Sequence, residues 1–461
     1  MKIKVDHQTT VTDCRPQTIA EIRDQLTFDN PAYLENEKRN FSNYKTPRLI
    51  ECFTPFPGGL SFPRGFSKRA SQIARKNGEL VEGDDQRRVL PSVNVQFTGI
   101  LKPFQQTAVD AVLSRPFGTL QSPTGSGKTV MALAVIAARK QPALIVCHTS
   151  ELLNQWVDRI STFTDIPKAE IGIIGGGKMR VGNRITVALV QSLCKCKEDV
   201  FEHIGFLIID ECHRCPSKTF LDVVTAFDCQ YMLGLSATPW RRDRLTRLIH
   251  YYLGDEIHRV DGEHLIKNGD ICKATVETIE TQFRTVLDAS NQYSKMLSQL
   301  CEDERRNSLV ASHAASEAKD NAGITLILSD RKSHCEALQV ALSTKGVKSD
   351  ILTGDVSKKN RIELTGRLSD GRCKVLIGTS QLLSEGFDCP SISSILLSTP
   401  MKWQGRVIQS IGRALRPAVG KDHARIIDFN DTHVGVLAAG AKSRARTFSQ
   451  MPGVTMEDIH A

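Results

Sequence analysis

The chain has 461 residues, 40% of them hydrophobic and 24% charged, with 60 basic against 51 acidic side chains and a net charge of +9. That length allows about three domains with substantial cores, and no apolar run approaches the ~20 residues of a membrane span. The N-terminal stretch Met1-Lys2-Ile3-Lys4-Val5-Asp6-His7 lacks the apolar core of a secretory signal, so a soluble cytoplasmic protein is expected. Its thirteen cysteines then read as reduced thiols. The modest basic excess suits a polyanionic partner without requiring one.

Residues 1–95 have their own character, rich in Pro, Asn, Phe and Gly, and are expected to form a small β-rich α+β accessory domain. Residues 45–53 read as a strand, Phe56-Pro57-Gly58-Gly59-Leu60 as a tight turn and 70–76 as a helix. Between Ser61 and Lys76 stand five basic and no acidic residues, with Phe62 and Phe66 interleaved. Basic side chains beside aromatics suit nucleic-acid contact, which makes Arg64, Lys68 and Arg69 candidate contacts. The competing reading is a solvated face over a small β core. Residues 78–88 are polar and charged and read as a linker or loop.

From about Val95 strands and helices alternate. A helix begins near Pro103, in its favoured first-turn position. Strands are expected at 117–120, 143–147, 171–174, 185–190, 206–209 and 231–235, and a helix capped by Thr149 or Ser150 carries Leu152, Leu153 and Trp156. Apolar strands separated by helices indicate a parallel sheet buried on both faces. Residues 240–275 read as leading away from that sheet, and 279–318 as mostly helical. A second alternating series follows, with strands at 324–328, 349–352, 374–377, 394–397 and 425–428. The domain boundaries expected are therefore 1–95, 96–260 and 261–445, with a C-terminal tail at 446–461, and the basic, small-residue stretch after about Lys442 is expected to be disordered.

The segment Ser122-Pro123-Thr124-Gly125-Ser126-Gly127-Lys128-Thr129 lies between a strand and a helix. Gly125 and Gly127 let backbone N–H groups turn inward, and with the helix N-terminus behind them these donors cradle phosphate. Lys128 supplies a point charge for β/γ-phosphates and Thr129 a hydroxyl for Mg²⁺, although Ser122 stands where the first glycine of the phosphate-loop pattern is usual. Eighty-two residues after Lys128 a strand ends in Asp210-Glu211. A carboxylate there can meet the metal, and its neighbour can orient or deprotonate water. Arg413 and Arg416 share one helix face, suited to a polyphosphate held opposite. The pairs Cys194/Cys196 and Cys212/Cys215 do not make the two close pairs of a structural zinc site.

In order and spacing these segments resemble superfamily 2 helicases and translocases over roughly residues 100–430. Gln105 looks like the family's adenine-reading glutamine, Ser122–Thr129 its phosphate-binding motif, and Asp210-Glu211-Cys212-His213 a DECH form of its DExH box. Ser236-Ala237-Thr238 resembles the third motif. Thr379 and the stretch ending at Asp388 resemble the fifth, and Gln409 to Arg416 the sixth. Leu235 to Asp243, with Phe62 to Phe66, is similar to the XPB, RadD and UvsW-like group, and the compact size to phage branch-migration DNA helicases.

The resemblance implies two tandem RecA-like parallel-sheet motor domains using ATP and Mg²⁺ between them. Ser122, Pro123, Thr124, Gly125, Ser126, Gly127, Lys128, Thr129 and Asp388 would bind nucleotide, and Thr129 and Asp210 the metal. Glu211 and Gln409 would position water, and Arg413 and Arg416 would neutralise transferring charge. His213, Ser236 and Thr238 would couple hydrolysis to strand contacts at Thr149, Ser150, Gln191, Thr353 and Thr379. The expected partner is DNA, single-stranded and branched (forks, Holliday junctions, R-loops), with RNA or an RNA–DNA hybrid as the other nucleic-acid choice, and the motor is expected to be monomeric. Rival readings are an RNA helicase of the same superfamily, an ATP-gated nucleic-acid sensor or clamp, and the motor subunit of a restriction or repair complex.

Overall fold

A computed structural model of the chain describes residues 1–457 except 215–216, 238–244, 289–290, 322, 357, 380–388, 390, 402–410, 413–414, 419–420 and 422. It divides into two compact units, Met1–Pro123 with Gly127–Val260, and Asp261–Ala461 with Thr124–Ser126. No helix among the described residues is long and apolar enough to cross a membrane.

The first unit contains an eight-stranded sheet. In spatial order its strands are Lys178–Arg180, Gly172–Gly175, Ile185–Leu189, Ala143–Cys147, Phe206–Asp210, Tyr231–Ser236, Phe117–Gln121 and Glu256–Arg259. All neighbours are parallel except the hairpin of the first two. Ala143–Cys147 and Phe206–Asp210 are buried at every position, which is why their sequences are apolar without alternation.

The last strand corrects one expectation. Residues 240–275 do not simply leave the sheet, because Glu256–Arg259 pairs with Phe117–Gln121 and extends it. Gly118 permits that approach. A Cβ there would stand 2.7 Å from the Asp255 carbonyl oxygen and 2.4 Å from Ile257.

The second unit holds a seven-stranded, all-parallel sheet. Its order is Ser349–Leu352, Val375–Thr379, Ile324–Ser329, Ile392–Leu397, His423–Asn430, Lys273–Glu280 and Val454–Met456. The stretch 279–318 is mostly helical as expected, with a strand ending at Glu280 and helices Tyr293–Glu302 and Glu304–Asp320 following. One sequence expectation changes here. The basic C-terminal stretch is folded as far as Glu457. Helix Gly435–Ser449 places the buried Arg444 guanidinium 2.9 Å from both oxygens of Asp428, and Val454–Met456 forms a sheet edge. A buried carboxylate needs a partner, and Arg444 of this helix supplies it.

The N-terminal region is a five-stranded sheet, Thr54–Phe56, Gly59–Phe62, Thr9–Thr12, Lys2–Val5 and Glu82–Asp85. The first four strands pair antiparallel and the last joins in parallel. Gly58, at φ +84°, stands in the expected tight turn, which joins two antiparallel strands. Only Leu49–Glu51 of residues 45–53 is strand.

This region is fused to the large sheet through helix Thr246–Leu253. Ile249 and Leu253 pack with the large-sheet core, whereas Leu248 and Tyr251 pack with Ile22, Leu60, Phe62, Phe66 and Ile73. Phe66 meets Tyr251 edge-on, with ring centroids 5.3 Å apart, and Gly65 lies so close that a Cβ would sit 2.5 Å from the carbonyl oxygens of His250 and Tyr251.

The basic–aromatic stretch at 61–76 is therefore mostly not a nucleic-acid face. Arg64 is 2% exposed and donates to the Cys229 carbonyl (2.8 Å) and to Met232 Sδ (3.2 Å). Phe62 and Phe66 are core. Arg69 pairs with Asp255 at 2.6 Å, and Lys68 is exposed. The helix Ser67–Lys76 buries Ala70, Ile73 and Ala74. The sequence shows charge and ring type here but not the direction in which each side chain faces.

Candidate active site

Strand Phe117–Gln121 runs into the phosphate loop and helix Lys128–Arg139 follows. Gly125 (φ +88°) and Gly127 (φ +86°) occupy the left-handed region, which glycine adopts without steric cost. Gly127 is also the residue preceding the first helical turn. Lys128 Nζ donates to the carbonyls of Ser122 (3.0 Å) and Pro123 (3.3 Å), so the ammonium is held over the loop. Ser122 is fully buried, and its N–H donates to the Ser236 carbonyl at 3.0 Å.

Gln105 stands against this loop. A Cβ added to Gly127 would lie 2.5 Å from Gln105 Nε2. The amide oxygen of Gln105 accepts from the Lys102 N–H (2.9 Å), closing the first turn of helix Pro103–Leu113. That bond fixes which end of the amide points onward.

The acidic pair sits at the end of Phe206–Asp210. Asp210 Oδ1 accepts from the Glu211 N–H (3.0 Å) and Oδ2 from Trp156 Nε1 (2.9 Å). Trp156 is nearly fully buried and is a site residue that the sequence presented only as an apolar helix position; its indole N–H gave the one available signal.

Glu211 has φ +50°, a conformation that costs a non-glycine residue ~1–3 kcal/mol and often marks function. Its Oε2 lies 3.2 Å from His213 Nδ1, which also stands 3.1 Å from Ser236 Oγ. Ser236 belongs to the strand beside the phosphate loop, paired with Gln121. One imidazole nitrogen thus joins the carboxylate to the strand that holds Ser122.

The electrostatics of the pair differ between its members. Burial, reinforced by the Glu211 charge, raises the proton affinity of Asp210 against the pull of Trp156 and Lys128. Burial acts on Glu211 as well, but the hydrogen bond and charge of His213, with Lys128 and His148, outweigh it and keep that carboxyl below its usual range. Two adjacent buried carboxyls, one resisting ionisation, form a donor set that a divalent cation relieves. The residues present therefore fit Mg²⁺, and Asp210 with the Thr129 hydroxyl are the oxygen donors that would hold it.

Thr149 Oγ1 is engaged as the cap of helix Ser150–Phe163, accepting from the Leu152 N–H at 3.3 Å. Ser150 and Gln191 are exposed, Thr353 is buried, and Thr379 ends strand Val375–Thr379. Arg416 is half-buried, and its carbonyl accepts from Lys421 Nζ at 2.8 Å. Thr238, Asp388, Gln409 and Arg413 lie outside the described residues.

Comparison with known proteins agrees with this geometry. Residues 98–241 match the family described as type III restriction enzyme, res subunit, and residues 302–418 match the helicase conserved C-terminal domain. The chain is 28% identical to a putative ATP-dependent RNA helicase of Acanthamoeba polyphaga mimivirus, over 78% of this chain and 70% of that protein. It is 23% identical to the ATP-dependent DNA helicase uvsW of Enterobacteria phage T4, over 97% of this chain and 94% of the other. Among solved structures, the fragment of a putative HsdR subunit of a type I restriction enzyme from Vibrio vulnificus shares the fold. Its TM-score is 0.58 at 19% identity, over 78% of this chain and 69% of that one. Both halves of the motor are accounted for in one polypeptide, which belongs to the superfamily 2 helicases, is built on two RecA-like parallel sheets and hydrolyses ATP.

Proposed function

We propose that this helicase acts on DNA, and on branched DNA in particular: forks, Holliday junctions and R-loops. The observation that carries the reading is the extent of the similarity to the DNA helicase uvsW, which runs through the N-terminal region as well as both motor segments. Residues 1–95 are the branch-engaging part in this reading, and 96–260 and 261–445 the motor domains. Similarity to a protein named as an RNA helicase supports RNA as the second choice, since contacts to a phosphate backbone discriminate poorly.

In the ATPase step Gly125, Gly127 and Lys128 hold the phosphates. Mg²⁺, when bound, offsets charge on their oxygens. Glu211, kept ionised by His213, accepts a proton from water that it and Gln409 orient. Arg413 and Arg416 neutralise charge developing on the γ-phosphoryl group, a role worth ~10³ to 10⁵ in rate in related phosphate-loop systems. Gln105 reads adenine and Asp388 meets the ribose. Thr149, Ser150, Gln191, Thr353 and Thr379 are assigned to the strand backbone. Of these, the Thr149 hydroxyl already caps its own helix, so its contact is assigned to the backbone N–H.

The test is ATPase and strand displacement on single-stranded DNA, blunt duplex, fork, four-way junction, R-loop and the matching RNAs, with Glu211→Gln as the control. DNA forks or junctions should support the fastest displacement. A preference for RNA duplexes would overturn the DNA assignment, and equal rates on blunt and branched duplexes the branch assignment. Glu211→Gln should bind ATP yet lose ~10²- to 10⁴-fold in turnover; turnover at the parent rate would remove Glu211 from proton transfer.

A further inference from the structure

With Arg64, Phe62 and Phe66 buried, the N-terminal region keeps a different basic–aromatic surface in water. Residues 38–48 read Lys38-Arg39-Asn40-Phe41-Ser42-Asn43-Tyr44-Lys45-Thr46-Pro47-Arg48, with four basic and no acidic residues. Phe41 is 63% exposed and Tyr44 81% exposed, and all four basic side chains are exposed.

The segment is braced at its base. Helix Pro31–Lys38 is capped by the Asn30 side chain, whose amide nitrogen also donates to the Pro47 carbonyl at 2.9 Å. The Phe41 N–H donates to the Asn36 carbonyl (2.8 Å), Asn36 Nδ2 to Asn43 Oδ1 (3.1 Å), and Asn43 Nδ2 to the Tyr33 carbonyl (3.3 Å). Asn40 and Lys45 take left-handed φ values of +54° and +66°. The Lys45 ammonium lies 5.5 Å from the centre of the Tyr44 ring. Arg39 is ion-paired to Glu35, which leaves Lys38, Lys45 and Arg48 as the charges available to an anion.

Two large rings held in water on a braced loop gain nothing for the fold, and exposed apolar groups of this kind mark interaction surfaces. Aromatic rings among cations match a partner that presents both π-faces and negative charge, namely unpaired nucleotides.

We propose that residues 38–48 form a stacking loop that takes up unpaired bases where a nucleic-acid duplex opens, with Phe41 and Tyr44 against the bases and Lys45 and Arg48 on the flanking phosphates. The inference rests on the nucleic-acid helicase reading and deepens it by naming the element that recognises the branch. The loop is already braced by its own hydrogen bonds, which limits the ordering entropy lost on contact. Stacking is indifferent to base identity, which suits a motor that moves through any sequence.

The test uses the full chain and a DNA fork carrying 2-aminopurine at the first unpaired position. The parent protein should quench the probe. Phe41→Ala/Tyr44→Ala should abolish the quench and weaken fork binding ~5- to 100-fold, while the melting temperature stays unchanged. Tyr44→Phe should retain the quench. Lys45→Ala/Arg48→Ala should lower affinity for every DNA tested and flatten the salt dependence by ~2 in log–log slope. Parent-level quenching and fork affinity in the Phe41/Tyr44 variant would overturn the proposal, including the case in which the loop docks a protein. The quench reports binding alone. A parent protein that stacks the probe but displaces no branched strand would count against the branched-DNA function and leave the stacking loop standing.

Discussion

His334 is a buried residue with a measurable consequence for stability. Its Nε2 donates to Asn307 Oδ1 and its Nδ1 is hydrogen-bonded with Ser329 Oγ, each at 2.9 Å. Burial, aided by the Arg306 charge, pushes its pKa down to about 3. In the unfolded chain a histidine takes up its proton near pH ~6.5, so below that value the unfolded state binds a proton that the folded state refuses. The stabilisation is complete above pH ~6.5 and is lost as the pH falls towards the folded value, with a limiting slope of ~1.4 kcal/mol per pH unit. Urea unfolding of the second unit at pH 7 and pH 5 should show that loss, and His334→Gln should flatten it. An equal pH response in the variant would assign the effect to other groups. The same residue scale separates what the sequence displayed from what it hid. Lys128, Asp210 and Glu211 were legible because their types and spacing carry the chemistry. The Trp156–Asp210 bond and the left-handed Glu211 were not, since both depend on which strand end meets which helix.

At the scale of elements, helix Thr246–Leu253 decides how the N-terminal region relates to the first motor sheet. Its apolar residues face two cores, Ile249 and Leu253 one way and Leu248 and Tyr251 the other. Gly65 is the tightest point of that joint. Gly65→Ala would drive a methyl into two backbone carbonyl oxygens, which cannot move aside as a flexible side chain can. We expect it to destabilise the first unit by at least the ~1–3 kcal/mol of ordinary overpacking, read as a lower urea midpoint for that unit. A midpoint equal to the parent's would show that the helix shifts freely. The joint also bears on how the N-terminal region can be tested. Removing residues 1–95 would expose Leu248 and Tyr251 and strip Arg64 from the Cys229 carbonyl, so loss of unwinding in that truncation would report unfolding. Exposed side chains such as Phe41 and Tyr44 are the better probes. The central strands were readable from sequence because burial on both faces leaves a continuous apolar run. The edge strands Glu256–Arg259, Lys178–Arg180 and Val454–Met456 were not, because each is short and partly polar and is defined by the neighbour it pairs with, whereas the edge strand Ser349–Leu352 was read at its place.

At the scale of the whole molecule, a helicase must connect ATP turnover to movement along a strand. We propose that the chain from Glu211 through His213 to Ser236, whose carbonyl holds the Ser122 N–H, is the physical link in the first unit. Ser236→Ala removes only the hydroxyl of that link and leaves the backbone ladder and the acidic pair in place. Strand displacement should fall at least ~10-fold more than nucleic-acid-stimulated ATPase, a difference of ~1.4 kcal/mol in coupling. Parallel losses in both activities would make Ser236 part of the hydrolysis step.

The sequence by itself determined the motor: a glycine loop, a strand-end carboxylate pair and their order are local patterns, and local patterns survive translation into structure. It also determined the parallel-sheet architecture, through runs of residues too apolar to face water. Only the tertiary structure decided which basic and aromatic residues of the N-terminal region meet the solvent. Residues 61–69 and 38–48 have the same composition signature, yet Phe62 and Phe66 pack with Leu248 and Tyr251 of a distant helix and Arg64 is buried against Cys229 and Met232, while Phe41 and Tyr44 stay exposed. Burial is a property of long-range contact, and composition carries no record of which distant segment will come to cover it.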